Sequence, residues 1–168
     1  LKGKPILTNS KKVMEFERKW SKWLGVNYSV FVNSGSSANF LTMRCLREIF
    51  GDGEVILPPL TWISDIVATI DSGFRPVFAD INLKTLSLDE KEILKKINRK
   101  TKAVFITHAQ GFNGLSDNLL KILKKKKIHL IEDVCESHGA KHKNKKLGTF
   151  GIASNFSFYY AHHMTTIE

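Results

Sequence analysis

The chain has 168 residues, 42% of them hydrophobic, which is enough to bury the core of one ordinary domain and argues against a disordered protein. It shows no signal-peptide pattern and no apolar run near the roughly 20 residues of a membrane-spanning helix, so we expect a cytoplasmic protein without a membrane partner. The formal net charge of +10 suits an anionic ligand, and by itself it also allows a nucleic-acid binder.

The placement of the lysines and cysteines along the chain narrows the possible ligands, partners and metal sites. The densest lysine run, residues 124–127, follows an apolar helical pattern, which favours the solvated end of an amphipathic helix over a nucleic-acid site. Cys45 and Cys135 are far apart and form no CxxC pair, which argues against a disulfide framework, a zinc ribbon or a self-contained iron–sulfur site. We therefore expect reduced thiols and no nucleic-acid partner.

Helical and extended patterns alternate along the whole chain. Short apolar strands separated by helices are typical of an α/β fold, in which a mostly parallel sheet is sandwiched by helices and binds ligands at the carboxyl ends of its strands. The second helix is expected to bury the side formed by Ala38, Leu41, Cys45 and Ile49. In chain order, the patterns predict a helix before Gly25, a strand at 28–32, a helix after Ser37, a strand at 55–57, a helix at 63–70, a strand at 76–79, a helix at 93–97, a strand at 103–107, a helix at 119–123 and a strand at 128–131.

Two turns at predicted strand ends carry candidate binding groups. Residues 34–37 (Ser-Gly-Ser-Ser) begin a helix, where backbone N–H groups and the positive helix end bind phosphate, although an ordinary serine N-cap explains the same residues. Trp62 follows two prolines that break the preceding strand. Its indole ring suits stacking on a heteroaromatic ring, and packing in the core is the alternative.

Acidic residues follow the buried strand at 128–131. One carboxylate there, Asp133, can hold a pyridine nitrogen protonated and so make the ring an electron sink, while a helix N-cap is the competing role for the same residue. Glu136, His138 and His142 invite a metal interpretation, but no third strong ligand has convincing spacing. We therefore expect no metal site.

The last segment carries paired histidines. An alternating strand through residues 155–158 leads into His162 and His163, and imidazole is the side chain best suited to move protons near neutral pH. Taken alone, such a pair is more typical of a structural or surface site. It becomes informative only together with the other three segments.

The order of these segments resembles a known family. Matching blocks occur at residues 15–17, 24–26, 33–35, 76–80, 100–103 and 132–133, from about Gly3 to the last residue. They resemble the DegT/DnrJ/EryC1/StrS superfamily of sugar aminotransferases, which have the fold type I scaffold of pyridoxal-phosphate enzymes. The resemblance implies that residues 1–168 form part of the large cofactor-binding domain, with the C-terminal small domain absent from this chain, and that the protein is a homodimer.

The resemblance also implies roles for individual residues. Asp133 would pair with the pyridine nitrogen of pyridoxal or pyridoxamine 5'-phosphate, Trp62 would stack on the ring, and Glu136 would lie near the ring hydroxyl and the substrate. The cofactor phosphate would be bound by Ser36, Ser37 and Ser157.

The sequence departs from the family at one position. Family aminotransferases carry a lysine where this chain has His162, and imidazole cannot form the Schiff base with pyridoxal phosphate. The substitution resembles the branch of nucleotide-linked 4-keto-6-deoxysugar 3-dehydratases, and Trp62 with residues 132–137 resembles its GDP-4-keto-6-deoxymannose members. The resemblance thus implies a lyase of deoxysugar and lipopolysaccharide O-antigen biosynthesis that uses His162 as its acid and base. An iron–sulfur cluster, as in a CDP-sugar relative, would need cysteines beyond this sequence. The alternatives are an aminotransferase-like protein and a non-catalytic remnant that only binds a ligand or partner.

Overall fold

The computed structural model describes residues 10–166, so Gly3 and Glu168, near the ends of the resemblance, lie outside the described part. The chain divides into two compact units between Asn33 and Ser34. Each is described by itself.

The first unit contains helix α1, Lys11–Leu24. The Ser10 hydroxyl caps its start by accepting a hydrogen bond from the Lys12 amide, and Gly25, at a φ of 91°, ends it in the left-handed conformation that glycine adopts without strain. The predicted strand at residues 28–32 is wrong, because the described residues provide it with no ladder of backbone hydrogen bonds. Instead the Phe31 amide donates to the Glu17 carboxylate at 2.8 Å.

The second unit contains a five-stranded, fully parallel sheet in the order β2-β1-β3-β4-β7. A short antiparallel hairpin, β5–β6, precedes its last strand. The strands are β1 (Glu54–Leu57), β2 (Arg75–Phe78), β3 (Thr101–Thr107), β4 (His129–Asp133), β5 (Lys141–His142), β6 (Lys145–Lys146) and β7 (Ala153–Asn155).

Helices cover both faces of this sheet, which confirms the predicted fold class. The helices are α2 (Gly35–Phe50), α3 (Ile63–Asp71), α4 (Glu90–Lys96) and α5 (Asp117–Lys126), with a short 3₁₀ turn at Ala109–Gly111. The residues of β3 alternate between the two faces, so Phe105 packs on the side of α2 and α3 while Val104 and Ile106 pack on the side of α4 and α5. None of the helices in residues 10–166 is both long enough and apolar enough to cross a bilayer.

The face that α2 buries differs from the prediction. Leu41, Cys45 and Ile49 are exposed, and the helix buries Asn39, Met43 and Leu46 instead. Met43 and Leu46 fill the space above β1 and β3, where their longer side chains reach the apolar residues of the sheet.

Helix α3 has the opposite of the usual amphipathic arrangement. Ile63, Val67 and Ile70 are exposed, whereas Asp65 and Thr69 are buried against the rest of the unit. Apolar side chains are usually buried and carboxyl groups are usually exposed, so both features of α3 are unusual. Asp65 is therefore placed by something other than hydrophobic burial.

Candidate active site

The start of α2 forms an anion-binding position at the carboxyl edge of the sheet. The Ser34 hydroxyl caps the helix by accepting the Ser37 amide at 3.1 Å. Within the described residues, the amides of Gly35 and Ser36 have no acceptor, so both are available to a ligand. Both sequence interpretations of this turn therefore hold at once: Ser34 is an N-cap, and the turn beyond it presents N–H groups at the positive helix end.

Ser157 lies against this helix start, although it follows β7 in the chain. A Cβ added at Gly35 would come within 3.0 Å of the Ser157 Cβ and 3.3 Å of its hydroxyl oxygen. The absence of a side chain at residue 35 thus allows the two segments to approach. It brings Ser157 next to the turn that contains Ser36 and Ser37, as a shared phosphate site requires.

Trp62 stands at the beginning of α3, one residue after Thr61 and just beyond the end of β1. Its side chain is 63% exposed, so it does not pack in the core of this unit. A large apolar ring left in solvent at the edge of a sheet is available for stacking.

Asp133 is the last residue of β4 and is 3% exposed. One of its carboxylate oxygens accepts the Cys135 amide at 2.9 Å. No helix begins here in the part of the chain that the structure describes, so the helix N-cap interpretation of Asp133 is wrong. The chain turns after the strand and leaves this carboxylate at the ligand-binding edge.

A second buried carboxyl group, Asp65, lies beside Asp133: the hydroxyl oxygen of Thr107 is 3.4 Å from Asp65 Oδ2, and Thr107 pairs with Asp133 in the β3–β4 ladder. The Asp65 oxygens also accept from Asn39 Nδ2 at 2.5 Å and from the Thr61 hydroxyl. Burial raises the pKa of the Asp65 carboxyl well above its usual range, and the negative charge of Asp133 raises it further.

Sequence reasoning missed Asp65 because the apolar spacing of α3 indicated that its polar side faced solvent. A usable signal was present in the strands instead. Thr107 and Asn155 end β3 and β7, which lie on either side of β4, and buried polar residues at strand ends need partners. Asn155 donates to Asn39 Oδ1 at 2.7 Å, which orients the Asn39 amide toward Asp65.

Glu132, next to Asp133, has a structural role. It is fully buried and accepts the amides of Gly148, Phe150 and Gly151, each at 2.8 Å, and it lies 3.2 Å from His108 Nε2. Burial pushes the pKa of this carboxyl upward, but the hydrogen bonds and charge of its partners outweigh burial and leave the pKa below its usual value. Of the two adjacent acids, only Asp133 therefore stands at the ligand edge.

Glu136 supports a neighbouring turn. Its carboxylate accepts the backbone amide of Gln110 at 3.1 Å and the side-chain amide of the same residue at 3.2 Å. Gln110 has a φ of 53°, a conformation that is uncommon for residues other than glycine. Glu136 thus stabilises a strained turn beside the site.

His162 and His163 lie in a loop that follows Ser157. The strand predicted at residues 155–158 is wrong beyond Asn155, because β7 is Ala153–Asn155 and the chain leaves the sheet after it. Their ring centroids are 6.3 Å and 6.1 Å from that of His138. Burial lowers the pKa of His138 to about 4, and the positive charges of His162 and His163 contribute to this shift. The negative charge of Asp133 acts on the His138 pKa in the opposite direction, but it does not outweigh burial.

No metal site is found among residues 10–166. Of the residues considered for one, His142 is held on the surface by Asp117 at 2.9 Å and by Asn113 at 2.8 Å. The donors at the sheet edge suit a different ligand: helix amides and hydroxyls for a phosphate, an exposed indole for a flat ring, and a buried carboxylate for a ring N–H. A phosphorylated pyridine fits this set.

Comparison with known proteins agrees with that chemistry. The sequence model of the DegT/DnrJ/EryC1/StrS aminotransferase family matches residues 1–168. The chain belongs to this family. The prediction made from the sequence blocks is therefore confirmed.

Several members of the family resemble the chain over almost its whole length. GDP-4-keto-6-deoxy-D-mannose 3-dehydratase of Yersinia pseudotuberculosis is 34% identical over 97% of this chain and 43% of its own length. GDP-perosamine synthase of Escherichia coli O157:H7 is 35% identical over 93% of this chain and 43% of its own length. The solved structure of the E. coli 3-dehydratase with bound hydrated PLP superposes with a TM-score of 0.91 at 34% identity, covering 96% of this chain and 43% of that one. The chain thus spans less than half the length of these relatives.

Proposed function

We propose that this chain contributes the cofactor-binding half of a sugar 3-dehydratase that acts on a nucleotide-linked 4-keto-6-deoxysugar, with pyridoxamine or pyridoxal 5'-phosphate as its cofactor. The proposal is carried by His162, which the sequence resemblance matches to the Schiff-base lysine of family aminotransferases. The resemblance to a 3-dehydratase over 97% of the chain supports it. Residues 1–168 would then be part of the large domain.

The binding roles follow from the groups at the sheet edge. The amides of Gly35 and Ser36, with the hydroxyls of Ser37 and Ser157, would bind the phosphate. The indole of Trp62 would cover one face of the ring, and Asp133 would accept a hydrogen bond from the protonated ring nitrogen. Glu136, beside them, would orient the ring hydroxyl or the substrate.

When bound, the cofactor would supply an amine for the sugar ketone and a protonated ring that acts as an electron sink. His162 would move the proton. Its neutral imidazole accepts a proton at the site where a lysine amine would otherwise stand, and the resulting imidazolium delivers a proton to the departing 3-hydroxyl oxygen. Imidazole does not compete with the cofactor amine as a nucleophile. Replacing lysine by histidine therefore keeps a base at this position but prevents a covalent bond to the cofactor.

We also infer a homodimer that works in the cytoplasm, in deoxysugar or O-antigen biosynthesis. The exposed apolar side chains of Ile63, Val67 and Ile70 on α3 support a second copy as the partner, since contiguous apolar surface is usually covered in an assembly. Sedimentation velocity tests this: we expect a dimer, and Val67→Asp should shift it toward monomer.

The experiment that tests the activity supplies the protein with pyridoxamine phosphate and GDP-4-keto-6-deoxymannose and follows loss of the 3-hydroxyl by mass spectrometry. We expect a 3-deoxy product with the wild-type protein and a loss of about 100-fold or more with His162→Asn, because removing a general acid and base typically costs this much. An amino sugar instead of a deoxy sugar would favour the aminotransferase-like alternative. Binding of the cofactor without any product would favour the non-catalytic one.

A further inference from the structure

We propose that Asp65 is a positioning residue that keeps a proton and donates it in a hydrogen bond to Asp133, so that the two carboxyl groups together present one negative charge to the ring nitrogen of the cofactor. The inference rests on the proposed function for its ligand. The juxtaposition of the two acids, in contrast, is a property of the chain itself, because both are buried and Thr107 lies 3.4 Å from Asp65 and pairs with Asp133.

The pair is buried without a cation. Asp65 is 1% exposed and Asp133 is 3% exposed. In residues 10–166, no lysine, arginine or histidine forms an ion pair with either carboxyl group. Double ionisation of two neighbouring carboxyl groups is strongly disfavoured away from water and without a counter-ion, so the pair is expected to retain one proton.

The surrounding donors indicate where the proton stays. Asp133 accepts a backbone amide, that of Cys135 at 2.9 Å, and a fixed amide dipole favours the ionised form of a carboxyl group. Asp65 also accepts hydrogen bonds, from Asn39 and Thr61, but burial and the charge of Asp133 outweigh them and raise the pKa of Asp65 well above its usual range. The arrangement therefore assigns the proton to Asp65 and the charge to Asp133.

The other groups around the pair do not supply a competing charge. Helix α2 presents the Asn39 amide, and the segments that end β1 and β3 present the hydroxyls of Thr61 and Thr107. After β4, the Cys135 thiol lies close by, and burial together with Asp133 raises the pKa of that thiol well above its usual value. His138 also senses the charge of Asp133, and it is neutral near pH 7 because its pKa is about 4.

A single charge matches the ligand. A protonated pyridine ring carries one positive charge on its nitrogen, and one carboxylate held by a neutral neighbour neutralises it without leaving a second buried charge. Asn155 orients the amide of Asn39, which donates to Asp65. A hydrogen-bond network therefore connects Asp65 to β7. Asp65 would therefore orient Asp133 rather than contact the cofactor.

The first test needs no cofactor. The unfolding free energy is measured from pH 4.5 to pH 8 for the wild-type protein, for Asp65→Asn, which keeps a neutral donor of the same shape, and for Asp71→Asn, an exposed aspartate on the same helix. A group that keeps its proton in the folded state makes the folded state less stable as pH rises above the unfolded pKa. The unfolding constant of the wild-type protein should thus rise with pH relative to Asp65→Asn, by up to about tenfold per pH unit until the folded-state pKa of Asp65 is reached, and Asp71→Asn should show no such divergence from wild type. Parallel curves for wild type and Asp65→Asn would overturn the shared proton.

The second test measures positioning. Pyridoxal phosphate labelled with ¹⁵N in the ring is titrated into wild type, Asp65→Asn, Asp65→Ala and Asp71→Asn, and both the Kd and the ring-nitrogen chemical shift are recorded. We expect the Kd of Asp65→Asn to remain within about threefold of wild type, with the chemical shift of a protonated ring nitrogen. Asp65→Ala should bind about tenfold more weakly and lose the shift of the protonated nitrogen, because one buried hydrogen bond to a charged group is removed. Rescue by asparagine distinguishes a donor from a merely structural side chain.

The two failures are distinguishable. If the wild-type protein does not bind pyridoxal phosphate, the proposed function fails, while the pH series still decides whether the proton is shared. If the wild-type protein binds it and Asp65→Ala binds it equally well with the same ring-nitrogen signal, Asp65 does not position Asp133. Should Asp65→Ala not fold, the pH series and the ring-nitrogen signal of Asp65→Asn still decide, and an unprotonated ring in Asp65→Asn would contradict the inference.

Discussion

The His108 imidazole lies 3.2 Å from the Glu132 carboxylate, and neither side chain is exposed to solvent. His108 Nδ1 accepts the Gly114 amide at 3.2 Å, so Nε2 is the ring nitrogen that donates toward Glu132. Glu132 in turn binds three amides of the loop before β7. This pair therefore fixes the strand that leads to Ser157 and the histidine loop.

Replacing Glu132 by glutamine should destabilise the protein by about 3 kcal/mol or more, because an amide nitrogen would then face backbone donors that require an acceptor. The wild-type protein should also lose stability as pH falls below about 4, since a carboxyl group with a lowered folded-state pKa stabilises only above its unfolded pKa. Chemical denaturation at several pH values measures both effects. The exposed Glu48→Gln is the matched control and should change stability little. Equal stabilities of the two variants would contradict the structural role of Glu132.

His138 should titrate near pH 4 in the folded protein, because burial and the neighbouring His162 and His163 disfavour its charged form. Its ring signals in two-dimensional NMR should therefore stay those of a neutral imidazole between pH 7 and about pH 5. Replacing His162 and His163 together by glutamine should move the His138 pKa upward, whereas His142→Gln, on the surface hairpin, should leave it unchanged. Because an unfolded histidine is protonated near pH 6.5, this group also makes stability fall as pH drops from 6.5 toward 4. Titration of His138 near 6.5 would show that the histidine loop does not pack there.

Trp62→Ala should weaken pyridoxal phosphate binding by about three- to tenfold, since aromatic stacking is worth about 0.5–1.5 kcal/mol. The free energy of unfolding should stay within about 0.5 kcal/mol of wild type, because an exposed side chain contributes little to the core. Spectroscopic titration and thermal unfolding give the two values. Ile63→Ala is the control, because Ile63 is adjacent and equally exposed, at 63%. A similar loss of affinity in both variants would mean that the ring does not stack on Trp62.

The central strands of the sheet could be predicted because each is a short apolar run, and burial on both faces leaves little ambiguity for β1, β3 and β4. The positions of Asp133 and Trp62 at strand ends followed from the same pattern. The segment at 28–32 has the same apolar character and yet forms no strand, since a strand also requires a partner that the local sequence does not specify.

The orientation of the helices was harder to predict. Periodicity identified α2 and α3 as helices, but which side faces the sheet depends on what the neighbouring strand ends present. Asp65 is buried because Asn39, Thr107 and Asp133 converge on it from three other elements, and their spacing of 26 to 68 residues along the chain carries no local signal. The most unusual residue of the site was thus also the least predictable.

The proposed function requires an imidazole in the place of the family's tethering amine, and a covalent trap tests this directly. His162→Lys, incubated with pyridoxal phosphate and reduced with borohydride, should yield a phosphopyridoxyl adduct on residue 162 by peptide mass spectrometry, since a lysine there can form the Schiff base that histidine cannot. Wild type and the neighbouring His163→Lys should yield none. An unmodified residue 162, or equal labelling of both lysine variants, would contradict the proposed position of His162 beside the cofactor.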